Sequence, residues 1–211
     1  MRKLVSSPGT DPIPTRYSLL SRLKNWDDQE SWRTFFETYW RLIYSTAIKS
    51  GLSESEAEDV VQETVICVAK DIHKFKLDRA LGSFKGWLKN LTRWRIADQL
   101  RKRPVAGQQQ SQDEGNSVET ESATLEKIPD TGFGLDAIWE EEWQQHLFSV
   151  AMGRVKRQVK EEQFQIFDLY AIKNWPARKV ARRLGVSLAQ VYLAKHRVGP
   201  LLKKELARLK E

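Results

Sequence analysis

Cysteine is almost missing from this 211-residue chain. The single thiol, Cys67, cannot close an internal disulfide, which fits a reducing compartment rather than a secreted scaffold. The three histidines, His73, His146 and His196, are widely scattered. With one cysteine they offer no metal-ligand spacing, so no metal or other cofactor is expected. No run of about 18 apolar residues is present, which excludes a membrane-spanning helix. The stretch Met1 to Pro8 holds no apolar run of signal-peptide length, and the cytoplasm is the expected compartment. Carboxylates do not cluster as a metal-dependent nuclease requires: Asp59 and Glu63 lie one helical turn apart with no third ligand nearby. None of the histidines has an evident nucleophile or carboxylate partner motif, so no catalytic residue and no enzyme is expected.

What is abundant is aromatic surface and charge. Eight Trp and eight Phe can supply an ordinary core, and 35 Lys plus Arg against 28 Asp plus Glu give a net charge of +7. Such an excess favours a polyanionic partner, nucleic acid or an anionic membrane surface. The charge is segregated. Residues 1–104 carry 19 basic and 13 acidic side chains, residues 105–142 carry 1 and 10, and residues 143–211 carry 15 and 5. Two basic blocks flank an acidic middle, as expected for two nucleic-acid-facing domains and a linker. The middle includes the polar runs Gly107 to Gln112 and Asp113 to Ser117, which bury little, so a mobile linker is expected. Its charge serves solubility, or it mimics DNA or follows a basic channel on a partner.

Both basic blocks read as all-helical. A short helix is expected around Tyr17 to Leu23. In the next, Trp32, Phe35, Phe36, Tyr39, Trp40, Ile43 and Ala47 recur at helical spacing, with Gly51 as a stop. Ser53-Glu54-Ser55-Glu56 has the form of a capping box. The helix it opens turns Ala57, Val60, Val61, Val65, Val68, Ala69 and Ile72 inward. A third helix begins near Ser83, with Phe84, Trp87, Leu88, Leu91 and Leu100 as its apolar stripe, and stops at Pro104. The C-terminal block reads as four helices, near 137–159, near 161–172, and the pair across Trp175 to Arg197.

That pair is a helix-turn-helix pattern. Pro176 suits a first helical position, Val180 and Leu184 face inward, and Ala181 permits close approach. Gly185 supplies a left-handed turn, and Ser187 with Gln190 forms a second capping box. Leu188, Ala189, Gln190, Tyr192, Lys195 and His196 then point outward, where they can enter a major groove. Arg178, Lys179, Arg182, Arg183 and Arg197 can grip phosphates. The alternative is a helical hairpin with a solvated basic face. In the third helix, Lys85, Lys89 and Arg93 are spaced by four beside Phe84, Trp87 and Trp94, a combination suited to unpaired DNA. Equally, the aromatics are core and the lysines solvated. Asp59, Gln62, Glu63 and Ile66 form a polar stripe on the second helix, either a wet face or a protein-docking surface.

These residues resemble a known family. Asp59-Val60-Val61-Gln62-Glu63, Gly82 to Leu88 and Arg101-Lys102-Arg103 resemble the second conserved region of bacterial sigma factors, and Trp175 to Arg197 resembles their fourth. With only these regions and a linker, the chain is identified as a member of the extracytoplasmic-function class of the sigma-70 family. The resemblance implies an all-α protein: an N-terminal extension (1–27), a region-2-like domain (28–104), an acidic linker (105–136) and a region-4-like domain (137–211). It implies that Asp59, Gln62, Glu63 and Ile66 dock on the clamp of the RNA polymerase largest subunit. It implies that Lys76, Arg79, Ser83, Lys85, Trp87, Lys89, Asn90, Arg93, Arg101, Lys102 and Arg103 recognise and melt the minus-ten promoter element, with the Lys76–Gly82 loop pocketing a flipped base. Arg178, Lys179, Ser187, Leu188, Ala189, Gln190, Tyr192, Lys195, His196 and Arg197 would read the minus-thirty-five element. The implied partners are core RNA polymerase (clamp and flap region), promoter DNA and, as often in the family, an anti-sigma protein. One departure stands out: Val198-Gly199-Pro200 interrupts a helix the family usually continues, and Pro200 is expected to kink or end it at a cost of roughly 3 kcal/mol. The rival reading is a helix-turn-helix regulator that never touches polymerase. It accounts for the C-terminal block and leaves the Asp59 stripe unexplained.

Overall fold

The computed structural model describes residues 16–75, 83–103 and 134–210. Lys76, Arg79, the loop to Gly82, Pro104 and nearly all of the acidic linker lie outside them. Within the described residues every regular element is helical, as the sequence predicts. The chain divides into two compact units, Leu19–Trp143 and Gln144–Glu211.

The first unit contains α1 (Arg16–Arg22), α2 (Gln29–Lys49), α3 (Glu54–Asp71), α4 (Phe84–Lys102) and the start of α5 (Leu135–Gln158). Each of the main helices has a local reason to begin. Asp28 caps α2 by accepting from the Ser31 amide at 3.0 Å. Ser53 and Glu56 form the expected capping box on α3, with the Ser53 amide donating to Glu56 at 2.7 Å. Ser83 caps α4 by accepting from the Gly86 amide at 3.2 Å. Gly51 follows α2 with φ +90°, a value that glycine adopts without strain.

The aromatic spacing of α2 resolves into two faces. Phe35, Tyr39, Ile43 and Ala47 are buried. Phe84 of α4 packs edge-on against Phe35 and Tyr39, at 6.3 and 5.4 Å between ring centres. Trp87 lies 4.7 Å from Phe75. Burying a ring such as Phe84 stabilises by about 1.5–3 kcal/mol, so this cluster fixes how α2 and α4 meet. One residue round the helix, Phe36 stays 44% exposed and stacks on Trp40 instead. The inner stripe of α4 runs through Phe84, Leu88, Leu91, Thr92, Ile96 and Gln99, whereas Leu100, expected inside, is half-buried. Thr92 is tolerated there because its hydroxyl donates to the Leu88 carbonyl at 2.9 Å.

The second unit contains the rest of α5, α6 (Glu161–Phe167) with a π-helical continuation over Asp168–Ile172, α7 (Ala177–Leu184) and α8 (Leu188–Lys210). Ile166, Val180, Val191 and Ala194 form its core, with Leu169, Trp175, Ala181 and Leu184 packed round them. The π turn is marked by the Lys173 amide donating to Asp168 O at 2.8 Å. Pro176 is the cap residue before α7 rather than its first helical residue. Gly185 takes φ +68°, the left-handed value its place between the helices requires.

Pro200 does not end α8, which continues to Lys210. Proline removes one backbone hydrogen bond, and tertiary burial outweighs that loss. Leu202, Glu205 and Leu209, all beyond the proline, are buried. Glu205 accepts from Gln158 at 3.1 Å and pairs with Arg154 at 3.5 Å, anchoring the distal turns to α5.

Candidate nucleic-acid interface

The most basic surface is the helix-turn-helix. Arg178, Lys179, Arg182 and Arg183 on α7, and Lys195, His196 and Arg197 on α8, are all exposed. Two of these cations are already seated on rings. Lys179 lies 4.1 Å from the Trp175 ring centre and Lys195 lies 5.4 Å from that of Tyr170, which orients both without neutralising them. Ser187 and Gln190 form the expected second capping box: the Ser187 amide donates to Gln190 Oε1 at 2.7 Å, and the Gln190 amide to Ser187 Oγ at 3.2 Å. Gln190 is therefore a structural cap, with its carboxamide oxygen engaged. Leu188 and Tyr192 are 41% and 54% exposed, and Ala189 is exposed beside them. Leu193, which the outward set inferred from the sequence omits, is 45% exposed. Its spacing from Ala189, i and i+4, was the available signal.

The face of α4 departs from expectation. Lys85, Lys89 and Arg93 do not form an open basic strip; all three are half-buried. The acidic start of α5 lies across them within the first unit. Lys85 pairs with Glu140 and sits 5.5 Å from the Trp143 ring centre. Lys89 pairs with Asp136 at 3.2 Å. Arg93 borders a small cavity shared with Leu135, Asp136 and Trp139. The same end of α5 is held to α2 by Lys49, which pairs with Glu142 at 2.6 Å and Glu141 at 2.9 Å. Those two carboxylates, Glu142 foremost, raise the Lys49 pKa. Asn90 is half-buried, and Trp87 belongs to the Phe75–Phe84 cluster. The separation of 55 residues between Lys85 and Glu140 put this arrangement beyond local sequence reasoning.

The end of α4 is also paired. Arg101 bonds Asp98, Lys102 lies 3.7 Å from Glu63, and Arg103 donates to Glu56 at 2.8 Å and to the Gly51 carbonyl at 2.9 Å. Arg103 thus ties the end of α4 to the capping box of α3. Its guanidinium, with help from the Ser53 amide and hydroxyl, holds the Glu56 carboxyl down to a pKa of about 2. Arg95, Asp98, Arg101, Lys102 and Glu63 line an open groove of about 450 Å³.

Along α3, Asp59 and Gln62 are exposed, Glu63 is half-exposed, and Ile66 is 45% exposed. This polar stripe with one apolar side chain lies opposite the buried Val60, Thr64, Cys67 and Val68. Among the described residues no group of His, Cys, Asp and Glu is placed to hold a metal ion. No helix of the described residues is long and apolar enough to cross a membrane.

The described residues thus form two helical units, one bearing a polar stripe on α3 and the other a helix-turn-helix with a cationic surround. Residues 35–104, which take in most of α2 and all of α3 and α4, match sigma-70 region 2. The match covers about a third of the chain and marks a sigma-70 region 2 domain within it. Among solved structures, the chain is similar to CnrH in complex with the cytosolic domain of CnrY, at 17% identity over 92% of this chain and 98% of that one, with a TM-score of 0.38. It is also similar to the sigma factor RpoE in complex with the anti-sigma factor NepR from Bartonella quintana, at 17% identity over 83% of this chain and 96% of that one, with a TM-score of 0.30. No curated protein sequence matches the chain.

Proposed function

We propose that this chain directs core RNA polymerase to promoters with two separated elements, as an adaptor with no chemistry of its own, in the cytoplasm. The observation that carries the proposal is the region 2 match over Phe35–Pro104 together with an exposed Asp59–Gln62 stripe on α3. In this reading residues 28–104 are the region 2 domain, 105–136 the linker toward the polymerase RNA exit channel, and 137–211 the region 4 domain. Asp59, Gln62, Glu63 and Ile66 dock on the polymerase clamp. An exposed apolar side chain at the end of a polar, acidic stripe suits a protein interface rather than a DNA contact.

The downstream element is bound by Lys76, Arg79, Ser83, Lys85, Trp87, Lys89, Asn90 and Arg93, with Arg101, Lys102 and Arg103 at the end of α4. Lys85 and Lys89 must exchange their α5 carboxylates for phosphates to do so. The upstream element is read by α8, with Arg178, Lys179 and Arg197 on phosphates, and Ser187, Leu188, Ala189, Gln190, Tyr192, Lys195 and His196 facing the groove. The polymerase flap region and an anti-sigma protein are further partners of this class.

Co-elution of the full chain with core polymerase tests the docking role. Wild-type protein should co-elute, and Asp59→Ala with Glu63→Ala should weaken that while leaving the melting temperature within about 2 °C, since surface changes usually cost under about 0.5 kcal/mol. Failure of wild-type protein to bind polymerase would refute the reading and favour a stand-alone DNA-binding regulator.

A further inference from the structure

We propose that α8 reads the upstream element through the methyl groups of thymine rather than through bidentate hydrogen bonds to purines. The proposal rests on the promoter-binding reading above and adds the chemistry of the bases recognised.

Helical geometry isolates the reading face. Val191, Ala194 and Val198 are buried, at i, i+3 and i+7, and fix the inward side of α8. Ala189, Tyr192, Leu193 and His196 fall at i, i+3, i+4 and i+7 on the opposite side, and all four are exposed. Leu188 joins them at the start of the helix, 41% exposed. This centre carries a methyl, an isobutyl and a phenol ring, with the His196 imidazole at its far end, and it holds no Arg, Lys, Asn or Gln. Those are the side chains that read guanine and adenine by paired hydrogen bonds, whereas apolar groups meet the C5-methyl of thymine. The polar candidates at its margins are constrained. The Gln190 carboxamide oxygen accepts from the Ser187 amide, which leaves it short of a bidentate pair with adenine, and Lys195 is oriented by the Tyr170 ring, 5.4 Å from its centre. Tyr192 is steadied by an edge-to-face contact with Tyr170 at 5.8 Å, so its ring is presented in a defined position.

Charge identifies the occupant. Exposed apolar side chains such as Tyr192 and Leu193 would also suit a protein partner. Here they are flanked by the exposed Arg178, Arg182, Arg183 and Arg197, and neither α7 nor α8 before Glu205 contains an acidic residue. An apolar centre inside a purely cationic rim matches the methyl-lined floor of a major groove between two phosphate backbones.

The test uses holoenzyme assembled from the full chain and core polymerase. Duplexes with a randomised upstream segment are selected for binding. The enriched element is then resynthesised with deoxyuridine for thymidine, which removes only the methyl and leaves the protein untouched. The expected element contains at least two A·T pairs, and each deoxyuridine at a contacted position lowers affinity about 4-fold, the equivalent of about 0.8 kcal/mol per buried carbon. Tyr192→Ala with Leu193→Ala should abolish that sensitivity, and both sites are exposed enough to spare the fold. An enriched element that binds equally well with deoxyuridine, or that lacks A·T pairs, overturns the proposal alone. No enrichment of any element overturns the promoter reading and the proposal with it.

Discussion

Replacing Asp136 with Asn and Glu140 with Gln should strengthen the hold of this protein on single-stranded downstream-element DNA. In the structure these two carboxylates occupy the lysines of α4: Asp136 pairs with Lys89 at 3.2 Å, and Glu140 pairs with Lys85. The carboxylates are 68% and 53% exposed and the lysines 33% and 28%. Each pair is therefore of the surface kind, which contributes about 0.2–1 kcal/mol. A strand that takes both lysines must break both pairs, a cost of about 0.4–2 kcal/mol in all. Neutral side chains remove that cost, so affinity should rise roughly 2- to 30-fold at 1.4 kcal/mol per decade. The cation–π contact of Lys85 with Trp143 and the anchoring of α5 by Lys49 remain in both proteins, so the geometry is held constant. Fluorescence anisotropy of a labelled single strand, with full-length protein in complex with core polymerase, reads the effect. The gain should be largest near 0.05 M salt and fade toward 1 M, where screening falls to about 3 Å. Unchanged or weaker binding at low salt would show that Lys85 and Lys89 do not contact the strand.

Three further outcomes concern the fold. Glu56 has its carboxyl held at about 2 against an ordinary 4.5, so its ionised form contributes stability above about pH 4.5 that is lost as the pH falls toward 2. Glu56→Gln keeps a capping residue without the charge; its denaturation midpoint should lie below wild type at pH 7 and converge on it by pH 2, and a pH-independent gap would contradict this. Glu205 is buried, and although burial alone would raise its pKa, Gln158, Arg208 and Arg154 together hold it low. Glu205→Ala should cost the second unit about 3 kcal/mol, because it removes one partner of a buried ion pair. That is a fall of about 15 °C in melting temperature for a unit this size, while Arg154→Met with Glu205→Leu should fall much less. Pro200→Ala restores a helical amide at an exposed position of α8 and should stabilise by about 1–3 kcal/mol; destabilisation in chemical denaturation would mean that the proline shapes the packing of Leu202 and Leu209.

Local signals in the sequence translated well. Ser53 with Glu56 and Ser187 with Gln190 are capping boxes because their partners stand three residues apart, within reach of one turn. Gly185 takes its left-handed conformation for the same local reason. The readings that changed are those decided by distant partners. Pro200 was expected to break α8, but Leu202, Glu205 and Leu209 are buried beyond it, and helical propensity yields to that packing. The lysines of α4 read by their spacing as a DNA-contacting or a solvated face, yet their carboxylates come from a helix more than 40 residues further along the chain. On α2, Phe35 and Phe36 are adjacent in an aromatic stretch, and Phe35 is the one buried, with Phe84 of α4 packed against it.

Transcription in vitro tests the central claim most directly: core RNA polymerase from the source organism, a genomic fragment library, and this protein present or absent. New transcripts that start downstream of one shared two-part sequence, appearing only with the protein, are the expected result. The same transcripts with and without it, and no association with core polymerase, would contradict the account.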